Sequence, residues 1–452
     1  MIPISACDNR PPSWLGEVKL NRRLYKSETD GVLRLPLTNG TREPGTITAM
    51  KYALASLFLL ATIALAQTSP TPTTVPITLD HNRIIIDVRF PMPDGSKKRV
   101  RAWVDNGNPD MWITGDLAKA LGLTPIGDAA KDAKMVPVQP PKDAIIGGLT
   151  IHPDDVKEAK AAMGFDSIAP GSTAEFTVPS TVLRHYDVQV DYLNRELILA
   201  APGTLRFEGD SAKLMVNPQN GLIQIASTLG GEKQNLALDL GASWSLISSE
   251  VVEKLRKANP SWPHMTGAVG SANMWGDAEE ARWELLRIPS LQFGPLTLSG
   301  VGVASFSKEN MEFFGKRAGI PTIGLIGANA LLNYRVGLDY AHETVYFKQT
   351  SKNRPPDMDV VGLVLKPESN GHYSVVGVAD YEGKPSVPEV KAGDVLVSVD
   401  GTPPTGGTMG QAWSLLGGSP GDVRMLVFDR GGKQFMVQAT VRRFLSAEAG
   451  KH

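Results

Sequence analysis

The sequence predicts a mainly β protein, with two β-barrel lobes of one plan followed by a smaller C-terminal domain. Three observations carry this. Two sequence blocks recur in the same order along the chain, which marks a duplicated unit. The chain holds 45 Gly and 33 Pro, a punctuation that favours short strands and turns over long helices. A polar, Pro-containing stretch at residues 351–358 then sets off a further segment of domain length. The 452 residues suit about three domains of ~150 residues each. With 42% hydrophobic and 21% charged residues, each can bury a core.

The bulk numbers also exclude chemistry. A formal net charge of −1 leaves no basic field for nucleic acid. Cys7 is the single cysteine and precedes the export signal described next, so no disulfide framework, thiolate nucleophile or Cys-based zinc site is expected. The 7 histidines are scattered without His-Glu-x-x-His spacing, so neither a metal nor a cofactor is expected.

In chain order, residues 1–49 are polar, broken by Pro and Gly, and aperiodic, and they read as a non-native extension ahead of the true start. Residues 50–66 have the layout of a secretory signal peptide: Met50-Lys51, an apolar run, then Ala64-Leu65-Ala66 before Gln67. This predicts export to the periplasm or the cell exterior. The run is short beside the ~20 apolar residues of a membrane span; an uncleaved membrane anchor is the other reading. Residues 67–77, rich in Thr and Pro, read as a flexible leader.

The first repeated block is a strand that runs into Asp-x-Gly. Arg99 to Val104 leads to Asp105-Asn106-Gly107, and Gln234 to Leu238 leads to Asp239-Leu240-Gly241, an offset of 134 (239 − 105). At that offset Trp112 and Ile113 match Leu246 and Ile247, Leu117 matches Val251, and Leu121 matches Leu255. Thr114 matches Ser248, and both hydroxyls suit a helix N-cap. The second block is a β-hairpin with an alternating first strand: Leu183 to Tyr192 with Glu196 to Leu199, and Leu331 to Tyr340 with Thr344 to Phe347, at an offset of 148 (339 − 191). The lobes are therefore placed at residues 78–203 and 209–350. Gly209-Asp210-Ser211 between them lacks the Gly that would follow a serine nucleophile and reads as a linker turn.

A strand ending in Asp-x-Gly sets a carboxylate beside a tight turn where Gly lets another chain approach closely. Lobes related by a pseudo-two-fold axis would bring Asp105 and Asp239 together. Two carboxylates within a few Å share a proton, so that one serves as general base on water while the other donates to a carbonyl oxygen. Asp-x-Gly is also an ordinary turn signal, and the reading of each aspartate as a turn residue stays open.

The two lobes resemble the retropepsin-like aspartyl protease family, in a two-lobed, single-chain form. Asp239-Leu240-Gly241-Ala242-Ser243 is similar to its Asp-Thr/Ser-Gly-Ala-Ser motif, Leu325-Ile326-Gly327 to its hydrophobic-hydrophobic-Gly motif, and Tyr334 to Phe347 to its closing hairpin. Thr266 to Gly276 sits where the family has a Gly-rich flap. The resemblance covers residues 78–350 and implies pepsin/retropepsin-like lobes, an aspartic endopeptidase activity, Asp105 and Asp239 as catalytic residues, and a polypeptide substrate. Gly107, Gly241, Ala242 and Trp275 are the expected substrate-binding residues; Trp275 also reads as a packed loop aromatic. The departures are specific. Asn106 and Leu240 replace the hydroxyl residues that bond across the lobe junction, Asn108-Pro109 stands where a small residue is usual, Pro179 replaces the first lobe's Gly, and Val136 to Gly148 is a Pro-rich mismatch to a flap. These substitutions leave open a catalytically inactive peptide-binding protein.

Beyond the linker, Val361 to Leu365, Tyr373 to Val378 and Val395 to Val399 read as strands, Met409 to Leu416 as a helix, and two more strands end near Val441. Ala392-Gly393-Asp394-Val395-Leu396-Val397-Ser398-Val399-Asp400-Gly401 makes residues 359–445 similar to a PDZ domain. The resemblance implies that Gly362, Leu363 and Val364 take an extended peptide or protein ligand along a strand edge. The other reading is a domain that only packs on the lobes or gates the cleft.

Overall fold

The computed structural model describes residues 71–127, 133–153, 156–352 and 358–446. The expected extension and signal peptide, and residues 353–357 of the linker, lie outside the described residues. From Pro72 onward the chain forms one compact unit, and it is mainly β. Among the described residues, no helix is long and apolar enough to cross a membrane.

Each lobe is built around its aspartate strand. In the first lobe Lys97–Asp105 lies between Phe176–Pro179, which runs parallel to it, and Arg83–Pro91, antiparallel. Phe176–Pro179 also meets Met111–Thr114, and the helix Gly115–Ala120 follows at once, capped by the Thr114 hydroxyl accepting from Leu117 N–H. The second lobe repeats the plan: Glu232–Leu238 runs parallel to Gly324–Ile326, which pairs antiparallel with Ser245–Ser248, followed by the helix Ser249–Ala258. Here Ser248 makes no side-chain cap bond, so the expected pair of hydroxyl caps is met only in the first lobe. The second sheet closes on itself where Ile223–Leu229 pairs with Glu284–Phe293. The first, nine-stranded sheet shows no such closing pair among the described residues and is a half-barrel.

The two predicted hairpins join the lobes. Asp187–Asp191 pairs with Glu196–Ala200, Tyr334–Asp339 pairs with Thr344–Gln349, and the two inner strands pair with each other antiparallel. Gln189 lies opposite Gly337, its equivalent at the 148-residue offset (337 − 189), so the pseudo-two-fold axis passes through this pair. Alternation explains the local structure: Val188 and Val190, like Val336 and Leu338, are fully buried below the sheet. Two expectations are corrected at its edges. The end of the predicted flexible leader is the strand Thr73–Pro76 beside Glu196–Ala200, and the predicted linker turn Gly209-Asp210-Ser211 leads directly into the strand Asp210–Lys213 beside Thr344–Gln349. Each has an alternating partner edge to satisfy its backbone, which a lone leader or turn would leave to water.

The C-terminal segment is a five-stranded antiparallel sheet in the order Leu363–Pro367, Tyr373–Val378, Val395–Val399, Val423–Arg430, Lys433–Thr440, with the helix Met409–Leu416 packed on it. The first strand starts two residues later than expected because Val361 N–H donates to Leu416 O at the end of the helix. The Gly393–Asp394 turn is fixed by Asp394, which is fully buried, accepts from Lys391 N–H and pairs with Arg430 at 2.6 Å. One apolar cluster runs from Trp244, Leu246 and Phe306 in the second lobe, through Ala268, Ala272 and Met274, to Leu363, Leu365, Trp413 and Phe428.

Candidate active site

Asp105 ends the first aspartate strand and Asp239 follows the second, each pointing into the turn of the opposite lobe. A Cβ on Gly107 would overlap the Asp239 carboxylate, and one on Gly241 would lie 2.5 Å from Asp105 Oδ1. Both glycines are therefore required by close approach. Within its own turn Asp105 Oδ1 accepts from Gly107 N–H at 3.2 Å, and Asp239 Oδ1 accepts from Gly241 and Ala242 N–H at 2.9 and 3.0 Å. Of the predicted site residues, Asp105, Asp239, Gly107, Gly241 and Ala242 thus converge.

The pair is 5% and 6% exposed. Burial raises Asp105 well above the ordinary carboxylate range, and the charge on Asp239 adds to this. Burial pushes Asp239 up to about 6, against the Ala242 and Gly241 N–H groups, which favour its charged form. Burial thus raises both carboxyls, and their mutual repulsion disfavours the doubly charged pair.

Asn106 ties the turns together. Its side chain, fully buried, donates to Leu238 O at 2.8 Å and accepts from Leu240 N–H at 2.6 Å. One amide thereby supplies both a donor and an acceptor across the junction, while Leu240 is fully buried in the apolar core. Trp103 Nε1 adds a bond to Gly241 O at 3.2 Å, and Arg317 reaches from the second lobe to Asp110 at 2.9 Å. A small cavity beside the pair is lined by Asn106, Gly107, Asp239, Gln224 and Phe314.

The remaining predicted residues are placed differently. Trp275 lies half-buried against Trp283 and Phe306, ring centroids 5.7 Å away in each case, as a packed loop aromatic does. Gly362, Leu363 and Val364 are buried. Gly362 O accepts from Ala379 N–H and from the Ser386 hydroxyl, both at 2.9 Å. The Pro-rich stretch from Val136 to Gly148 contributes the strand Met135–Val138 and half of a hairpin, Ala144–Ile146 with Leu149–Ile151.

Sequence reasoning missed a second layer around the pair. Arg83, 2% exposed, donates to Met274 O and to Pro170 O, and lies 5.6 Å over the Trp103 ring. His81 Nε2 bonds Asn273 O at 2.8 Å, and burial lowers its pKa to about 3, so it stays neutral and donates. Glu280, fully buried, accepts from the N–H groups of Met274, Trp275 and Gly276 and from Asn273 Nδ2. Burial pushes it up to about 7, against those donors. Among the described residues, no group of three His, Cys, Asp or Glu side chains is placed to hold a metal.

No protein-family model matches the chain, and no curated protein does. Among solved structures, it is similar to the crystal structure of the aspartic proteinase from Irpex lacteus, with 14% identity, a TM-score of 0.39, and coverage of 63% of this chain and 100% of that one.

Proposed function

We propose that the chain is an exported aspartic-type endopeptidase that hydrolyses peptide bonds with Asp105, Asp239 and an activated water, and that its C-terminal PDZ-like domain binds polypeptide. The observation that carries the reading is the packing of each carboxylate against the opposite Asp-x-Gly turn, where burial raises both carboxyls. Asp239 takes a proton from water as the water oxygen attacks the scissile carbonyl carbon, and Asp105 gives its proton to the carbonyl oxygen. The tetrahedral intermediate then collapses: the C–N bond breaks, the amine leaves with the proton held by Asp239, and Asp105 regains its proton from the intermediate's hydroxyl. Water is thus divided between the new carboxyl and amine, and no metal or cofactor takes part. Export rests on the signal-like residues 50–66.

A second reading, a peptide-binding protein without catalysis, is favoured by Leu240 in place of a hydroxyl residue and by the low exposure of the pair. Peptide-library cleavage by residues 67–452 from acidic to neutral pH separates the two. The peptidase reading expects Asp105→Asn and Asp239→Asn each to lose about 10²–10⁴-fold in rate. Folded protein that binds peptide and cleaves none at any pH supports the second reading.

A further inference from the structure

Trp103 stands two residues before Asp105, and its equivalent at the 134-residue offset (237 − 103) is Ala237, two residues before Asp239. Beside the pair the first lobe therefore carries an indole and the second a methyl group. Strand pairing sets Trp103 between Ile85 and Thr177, and its ring packs against Ile85, Ile168 and Ala174. From there its Nε1–H crosses the lobe junction and donates to Gly241 O at 3.2 Å.

That carbonyl belongs to the same peptide group as Ala242 N–H, which donates to Asp239 Oδ1 at 3.0 Å. A donor on the oxygen of a peptide group polarises it and makes its N–H a stronger donor, so the indole acts on Asp239 through one amide. Behind the indole, Arg83 Cζ lies 5.6 Å from the ring centroid, and Arg83 is 2% exposed. Its bonds go to Pro170 O and Met274 O, and the charges of Asp80, Glu280 and Asp105 favour its protonated form. A cation on the ring face in a dry interior polarises the indole and strengthens its N–H bond. On the other side, Asp105 Oδ1 accepts from Gly107 N–H at the longer 3.2 Å, and the Ala237 methyl has no donor to offer the first turn.

We propose that Trp103, with Arg83 behind it, is a positioning residue that draws the pair's negative charge towards Asp239 through the Gly241–Ala242 peptide group. Two aspartates set in matching turns are thereby made unequal. The catalytic meaning rests on the peptidase reading; the effect on the carboxyls does not. The other titratable and charged groups facing the pair are Tyr192 near Asp239, Tyr340 beside Asn106, and Arg317, whose charge favours ionised Asp105. They stay in place in every variant below.

The test is the thermal midpoint at stepped pH for the full chain, Trp103→Phe, Asp239→Asn and the double variant. The pH dependence that Asp239→Asn removes belongs to the coupled pair. Both carboxyls are raised on folding, so stability falls as pH rises through their folded values. Trp103→Phe keeps an aromatic ring and loses the N–H. It is expected to carry that fall to higher pH by about 0.5–1 unit, a threefold to tenfold rise in proton affinity. A packing role alone lowers the midpoint equally at every pH. A fall that stays at the parent's pH, or moves lower, overturns the proposal. If Trp103→Phe does not fold, 3-benzothienylalanine at position 103, which has the shape of tryptophan without the N–H, takes its place. Arg83→Met is expected to shift the fall the same way by less, with Arg83→Lys nearer the parent; an Arg83→Met shift that is undiminished in the Trp103→Phe background removes Arg83 from the relay. The acid limb of kcat/KM for peptide cleavage is expected to move with the midpoints. A moved midpoint with no cleavage by any of the proteins keeps the role of Trp103 and removes the peptidase reading.

Discussion

Asn106 bonds across the junction of the two Asp-x-Gly turns with a single side chain. A hydroxyl in each lobe would give two short side chains reaching across; here one amide reaches both Leu238 O and Leu240 N–H, and Leu240 is released to pack in the core. Asn106→Ala leaves two buried backbone groups unpaired and is expected to cost about 2–4 kcal/mol, read as a fall in the thermal midpoint, while Asn106→Thr recovers part of it. The aspartates themselves set the pH response. Cleavage should rise with pH through about 6, as Asp239 loses its proton, and fall at higher pH, as Asp105 loses the one it donates. Both folded values lie above the ordinary carboxylate value of 3.8, so the stability they contribute is full below that pH and is lost as pH rises through their folded values. Asp239→Asn should therefore flatten the decline in midpoint between about pH 4 and 6, which differential scanning fluorimetry at stepped pH measures. The pair was legible in the sequence because Asp-x-Gly recurs at a fixed offset. Arg83 and Glu280 were not, because charged side chains are ordinarily exposed and nothing local signals that a distant loop will cover them.

Elements with their own periodicity were read closely from sequence. Tyr373–Val378 and the helix Met409–Leu416 fall at the expected bounds, and both lobe hairpins form where alternation placed them. What local pattern does not encode is which strand lies beside which: the antiparallel pairing of Asp187–Asp191 with Tyr334–Asp339 joins residues nearly 150 apart, and Thr73–Pro76 becomes a strand only because an edge awaits it. The Gly337 position shows why this pairing tolerates so little. Phe207, from the crossing between the lobes, lies on Gly337 and stacks on Tyr346 with centroids 5.0 Å apart, and a Cβ on Gly337 would overlap its ring. Gly337→Ala forces that ring off its stack and is expected to cost about 1–3 kcal/mol, seen as a lower denaturation midpoint with the pH profile of cleavage unchanged in shape.

At the scale of the whole molecule, the C-terminal sheet is less separate than its sequence makes it look. A Pro-containing linker and a recognisable strand order read as a detachable domain, yet its apolar residues continue those of the second lobe through Ala268, Val269, Ala272 and Met274, all 0–2% exposed. Domains joined through a large shared apolar surface unfold together, whereas those joined by a polar interface move and melt apart. Calorimetry of the intact chain should therefore show the second lobe and the C-terminal sheet in a single transition. Removing residues 351–452 would uncover that apolar strip and strand Asn273, whose side-chain oxygen bonds Leu365 N–H. The truncated protein is expected to bind a hydrophobic dye, lose near-ultraviolet dichroism from Trp275 and Trp283, and self-associate on size exclusion. A truncated protein that stays monomeric with the parent's midpoint would mean that the strip closes over by itself, and that the C-terminal sheet is an appended module and not the outer wall of the lobe it covers.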